Sequence, residues 1–278
     1  MQAGIFEAAQ ERILAVAHRG VSGGNIPCNT LAAYELALRQ GADMIEIDVE
    51  MSADGKLFIF HPGMEPIHLR SAERLPALTA EEISRLRYVN YDSTPTQFGV
   101  NTLDEVLETF RGRCLINVDK FWGHPEEIYR AISRHGMTRQ VVVKSAPSEK
   151  VFRVLEELAP ELPFMPIVRD THPWHAELMK RNLCYVGAEV LFREDSAAVA
   201  SPEFIETMHR DGKLVWVNAI IYNYREQLCA GHSDDRSLCG DPDGGWGWLA
   251  RRGFDLIQTD WTQMMLDYLK NEKLLSRK

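Results

Sequence analysis

The feature that most constrains the fold is a regular alternation of short apolar runs with amphipathic stretches. Strand-like runs lie at Leu14 to Ala17, Met44 to Glu50, Cys114 to Asp119, Val141 to Lys144, Phe164 to Val168, Tyr185 to Val190, Leu214 to Asn218 and Leu256 to Thr259. Helical spacing fills the intervals, at Leu103 to Arg111, Val151 to Leu158, Glu177 to Asn182 and Phe204 to Asp211 among others. Thr30 to Gln40 reads as a helix with Asn29 as its N-cap and Gly41 as its stop. Eight βα units within 278 residues predict one α/β domain over residues 1–278, a closed parallel (β/α)8 barrel. Such a barrel carries its chemistry at the C-terminal strand ends. The polar stretch Tyr222 to Gly247 reads as an insertion after the seventh strand.

The second strand carries an unusual load. From Ile45 onward apolar and acidic residues alternate, which places Glu46, Asp48 and Glu50 on one face. Ala53-Asp54-Gly55-Lys56 is a tight-turn signal, and Lys56 to His61 reads as a strand returning antiparallel. A two-residue Asp54-Gly55 loop pairs Ala53 with Lys56 and sets Asp48 level with His61. A bulged three-residue turn slips that register by one. An acidic strand face is more often a solvated sheet face than a metal site. Here it coincides with His18-Arg19-Gly20 at the end of the first strand. Two histidines, an arginine and two carboxylates at strand ends are the parts needed to break a phosphate ester: proton carriers, a planar donor for phosphate, and hard oxygen ligands for a divalent cation.

Composition narrows the substrate. A formal charge of -9 argues against nucleic acid as a partner, and an anionic substrate then needs local help from Arg19, lysines or a bound cation. No apolar run approaches membrane-spanning length, so no stable membrane insertion is expected. The N-terminus has no basic segment followed by an apolar one, and the expected location is cytoplasmic, or periplasmic or secreted if a signal was removed. The five cysteines lack zinc spacing; only Cys229 and Cys239, which bracket a polar loop, look able to bridge.

His18-Arg19-Gly20, Asn29 to Tyr34, Gly41 to Val49, Asp54-Gly55, His61 and the closing Phe254 to Asp260 together resemble the glycerophosphodiester phosphodiesterase family. The resemblance implies a TIM barrel with a small hairpin insertion after strand 2. It also implies hydrolysis of a small-molecule glycerophosphodiester to glycerol 3-phosphate and an alcohol, assisted by Ca2+ or Mg2+. Carried over by position, His18 and His61 become the general acid/base pair, Arg19 a phosphate ligand, and Glu46 and Asp48 metal ligands.

Three departures stand out. Cys28 occupies a position where the family usually has glutamate. His61 is followed by Pro62 rather than the common aspartate. The strand Ile116-Asn117-Val118-Asp119-Lys120 has its acid directly before the lysine. By strand alternation Asn117 and Asp119 share a face and Lys120 points away. Asp119 is thus expected as the third metal ligand, Lys144 as the working lysine, and Asn29, Asn117, Lys120, Glu189, Trp216 and Asn218 as substrate contacts. Two other readings stay open on the sequence: a lysophospholipase D or sphingomyelinase D type activity on a lipid, which an apolar loop beside the pocket would favour although Tyr222 to Gly247 is mostly polar, and a catalytically weak phosphodiester-binding protein.

Overall fold

The computed structural model describes residues 4–223 and 225–277. Eight parallel strands close on themselves: β1 (Leu14–Ala17), β2 (Met44–Met51), β4 (Leu115–Asp119), β5 (Val141–Ser145), β6 (Phe164–Arg169), β7 (Gly187–Leu191), β8 (Leu214–Asn218) and β11 (Leu256–Thr259), with β1 bonded to both β2 and β11. A short strand β3 (Leu57–Ile59) adds antiparallel to β2, and a ribbon of β9 (Ile221–Asn223) and β10 (Glu226–Gln227) opens the insertion after β8. The expected TIM barrel with a hairpin after its second strand is what the chain forms.

Strand parity builds two apolar layers. Ala15, Ala17, Ile45, Ile47 and Val49 turn outward and pack with helix residues such as Tyr34, Val106, Phe110 and Phe152 in the main core. Leu14, Val16, Met44, Leu115, Val142, Met165, Leu214 and Leu256 form a separate cluster inside the barrel. Each such buried side chain contributes about 1.5–3 kcal/mol. Helix α1 (Ile5–Glu11) buries Ile5 and Ala9 in this inner cluster and so covers the N-terminal mouth. Farther along the same strands the inward residues become polar, at Glu46, Asp48, Asn117, Lys144, Glu189 and Asn218. The chemistry is confined to the C-terminal mouth.

The β2–β3 register differs from the one set by a two-residue loop. Val49 pairs with Ile59 and Met51 with Leu57, and Phe60 N–H donates to the Asp48 carbonyl at 3.0 Å, so Phe60 and not His61 lies level with Asp48. The cause is Ser52. Its N–H bonds the Lys56 carbonyl at 2.9 Å and its hydroxyl bonds Asp54 at 2.6 Å, closing a three-residue loop with Gly55 at φ +85°. Phe58 and Phe60 then join Leu69, Leu75, Leu78, Ile83, Tyr88 and Val100 in a small core of the hairpin's extension.

Asn29 is not a helix cap. Helix α2 (Leu31–Arg39) is capped by Thr30, whose hydroxyl accepts from Ala33 N–H at 3.2 Å. Gly20, at φ +78°, lets this helix approach: a Cβ there would sit 2.7 Å from the Ala33 backbone. Cys229 and Cys239 are both free thiols, one buried and one exposed, so the loop they bracket is not bridged.

Candidate active site

The acidic cluster sits where adjacent strands end together. Register pairs Glu46 with Asn117 and Asp48 with Asp119, and one ligand oxygen from each of Glu46, Asp48 and Asp119 lies within 4.8 Å of the others. Desolvation, reinforced by the charge of Asp48, pushes the Glu46 carboxyl up to about 7. Asp48 is held by one oxygen only. Its Oδ2 accepts from Asn29 Nδ2 at 2.9 Å and lies 3.0 Å from Arg19 Nε, while buried Oδ1 has no hydrogen-bond partner. A hard divalent cation fits this donor set, because it supplies charge to three converging carboxylates and a partner to the orphaned oxygen.

Left-handed residues aim the surrounding groups. Arg19 (φ +56°) turns its own N–H onto Glu46 at 2.9 Å while its guanidinium meets Asp48. Asn29 (φ +55°) sends its side chain beneath Asp48, where Tyr34 Oη donates to it at 2.8 Å. Lys120 (φ +61°) breaks the alternation of β4, which corrects the expectation that it points away. Its Nζ lies 2.5 Å from Asp119 Oδ2 and 3.7 Å from Asp48 Oδ1.

The two histidines are biased in opposite directions. Burial would depress the His18 imidazolium, but a bond from Nδ1 to Asp260 Oδ1 at 2.9 Å and the charges of Glu46 and Asp260 outweigh it, raising its pKa. For His61 desolvation dominates; Asp48 opposes it, but Arg19 and Lys120 add to it, and the pKa is lowered. His18 therefore holds its proton more tightly than His61.

Lys144 belongs to a buried network beside the cluster. Its Nζ lies 2.6 Å from Glu189 Oε2 and 3.8 Å from the centroid of Trp216. Glu189 Oε1 accepts from Asn218 at 2.6 Å, and Asn218 accepts from Trp216 Nε1 at 3.2 Å. Asn29, Asn117 and Trp216 are fully buried. Asn117 donates to the Val142 carbonyl at 3.0 Å, a bond between neighbouring strands.

His18, Arg19, Gly20 and Cys28 line a cleft of 850 Å³ shared with His68, Asp260, Trp261 and Met264. A second opening of 330 Å³ is bounded by Asp119, Lys120, Lys144, Pro62 and Trp122. Sequence reasoning assigned no role to Asp260 or His68. The first stands in the closing Thr259-Asp260 motif and could have been suspected there; the second comes from the hairpin's extension and carries no local signal.

The protein is similar to known glycerophosphodiester phosphodiesterases. The enzyme of that name from Bacillus subtilis is 30% identical over 179 residues, which cover 57% of this chain and 60% of the relative. That from Caldanaerobacter subterraneus is 28% identical, covering 60% and 72%. The chain thus spans about 60% of the length of the Bacillus relative it matches. A family model described as a domain of unknown function matches residues 164–269. Among solved structures, a glycerophosphoryl diester phosphodiesterase from Parabacteroides distasonis superposes with a TM-score of 0.78 at 16% identity, over 97% of this chain and 93% of that one. An Oleispira antarctica phosphodiesterase, solved with sn-glycerol-3-phosphate, gives 0.67 at 21% identity over 92% and 96%. The chain is thus similar to glycerophosphodiester phosphodiesterases in sequence over rather more than half of its length and in its barrel fold over nearly all of it.

Proposed function

We propose that the protein hydrolyses glycerophosphodiesters to glycerol 3-phosphate and an alcohol, with Glu46, Asp48 and Asp119 holding a calcium or magnesium ion. The observation that carries this reading is the placement of two oppositely biased imidazoles, each within electrostatic reach of Arg19, around one acidic cluster in which buried Asp48 Oδ1 has no hydrogen-bond partner. The ion, when bound, neutralises phosphate charge. Arg19 and Lys120 add cationic contacts to the phosphate oxygens, against an unfavourable net charge. His61, as free base, takes a proton from the attacking water, whose oxygen bonds phosphorus as the bond to the alcohol oxygen breaks. His18 gives one to the departing alcohol oxygen, and Asp260 keeps that imidazole oriented and charged. Lys144 and Glu189 hold each other across the barrel and give the cluster a rigid wall. The test is a panel of glycerophosphodiesters assayed with and without chelator. Metal-dependent release of glycerol 3-phosphate is the expected result; stoichiometric binding without turnover would establish a phosphodiester-binding protein instead.

A further inference from the structure

Beside the catalytic cleft lies a cavity of 210 Å³ between the loop after β1 and the hairpin's extension. Ile26, Pro27, Ile67, Val89 and Tyr91 supply its apolar wall beside the neutral Ser22, Asn90 and Ser93, and Ser22, Cys28, His68 and Tyr91 are common to this cavity and the cleft that holds His18 and Arg19. No Asp, Glu, Lys or Arg is among the described residues that line it. The apolar character continues outward: Ile67 is 63% exposed and Tyr91 85%, and Trp261 and Met264 are half exposed on the facing rim of the cleft. Exposed large apolar side chains gathered at one cleft mark a binding surface.

Resting on the hydrolytic reading above, we propose that this cavity receives an uncharged, apolar chain carried by the substrate phosphodiester. The occupant follows from continuity and from charge. The cavity opens onto the catalytic cleft, so what fills it is attached to the reacting phosphate. A cationic amino alcohol would find no carboxylate in its wall. The Cys28 side chain at the shared border is a neutral thiol, held in that form by burial, which pushes its pKa up to about 11. His68 at the same border is biased toward its neutral form by desolvation and by the Arg19 charge. An apolar chain removes Ile67 and Tyr91 from water and needs no polar partner.

The experiment compares kcat/KM for glycerophosphocholine with that for two chain-bearing diesters. One is a glycerophosphoalkyl ester, with the chain on the alcohol; the other is a soluble short-chain lysophosphatidylcholine, with the chain on the glycerol. At least one chain-bearing substrate should exceed glycerophosphocholine by about tenfold or more, a size set by burying a few methylenes, and which of the two does so assigns the chain's origin. Ile67→Glu and Ile67→Ser change an exposed position that lines the cavity and not the catalytic cleft. Each should raise KM for the preferred chain-bearing substrate several-fold and leave kcat for glycerophosphocholine unchanged, with Ile67→Glu lowering only the KM of that cationic substrate. Equal kcat/KM for all three substrates overturns the inference and leaves the hydrolytic reading standing. So does a loss confined to binding of phosphatidylcholine vesicles, which would make the patch a membrane contact. If nothing is hydrolysed, the hydrolytic reading fails, and affinity for a non-hydrolysable alkyl phosphonate diester, wild type against Ile67→Glu, decides the cavity's role separately.

Discussion

Nδ1 of His18 lies 2.9 Å from Oδ1 of Asp260, a bond between residues 242 positions apart that forms only because β1 and β11 close the barrel side by side. An ionised carboxylate can only accept, so this bond puts a proton on Nδ1 and leaves Nε2 free for other partners. It also raises the His18 pKa against the burial that would lower it. In Asp260→Asn the charge is lost while an acceptor remains. The His18 pKa should fall, read directly by NMR titration of the imidazole, and the alkaline limb of the rate profile should move to lower pH. An unchanged titration would show that Glu46 alone sets the charge on His18.

Division of labour between the histidines can be tested with an activated substrate. Loss of either imidazole should cost about 10²- to 10⁴-fold in turnover of an alkyl diester. A nitrophenyl diester needs no proton at its leaving oxygen, so it should rescue His18→Ala and not His61→Ala. Rescue of His61→Ala alone would exchange the two roles. Effects should be less than additive in the double variant, because either loss stalls the same proton exchange.

Metal-free protein should carry a measurable cost at Glu46. Its folded pKa is raised from an ordinary 4.5 to about 7, by desolvation first and the Asp48 charge second. Its contribution is therefore fully present below about pH 4.5 and is lost as pH rises through about 7. In chelator, Glu46→Gln should hold its melting temperature better than wild type across that window. Added calcium or magnesium should stabilise the wild type by mass action and Asp48→Asn much less. If both proteins gain equally from the cation, the ion binds elsewhere.

Lys120 and Lys144 should separate by assay. Lys144→Met leaves Glu189 buried without its partner and should cost about 3 kcal/mol or more of folding stability, measured by urea unfolding. Lys120 is partly exposed and reaches Asp119 and Asp48, so Lys120→Met should fold normally and lose turnover. The double change Lys144→Met with Glu189→Leu should recover most of the lost stability, because no charge is then stranded. A stable, inactive Lys144→Met would return that lysine to the reaction itself.

Local periodicity made much of this protein legible. Alternation in Met44 to Glu50 was enough to place Glu46 and Asp48 on one face, and the parity of β4 placed Asp119 with them, because an extended chain sends successive side chains to opposite sides whatever its neighbours do. The eight-unit alternation likewise dictated a barrel and the end of it that carries chemistry.

Tertiary structure decided what parity cannot reach. Lys120, Arg19 and Asn29 take positive φ, so each leaves the strand or helix pattern at the residue where its direction matters, and a non-glycine residue stays there only when surrounding contacts hold it. The Ser52 hydroxyl selected the three-residue turn, and one residue of slip moved Phe60 into the place His61 was expected to hold. Asp260 and His68 reach the site through barrel closure and through packing of the hairpin's extension. Residues 242 positions apart share no local pattern, so their meeting is settled by the free energy of the closed fold rather than by any stretch of the chain.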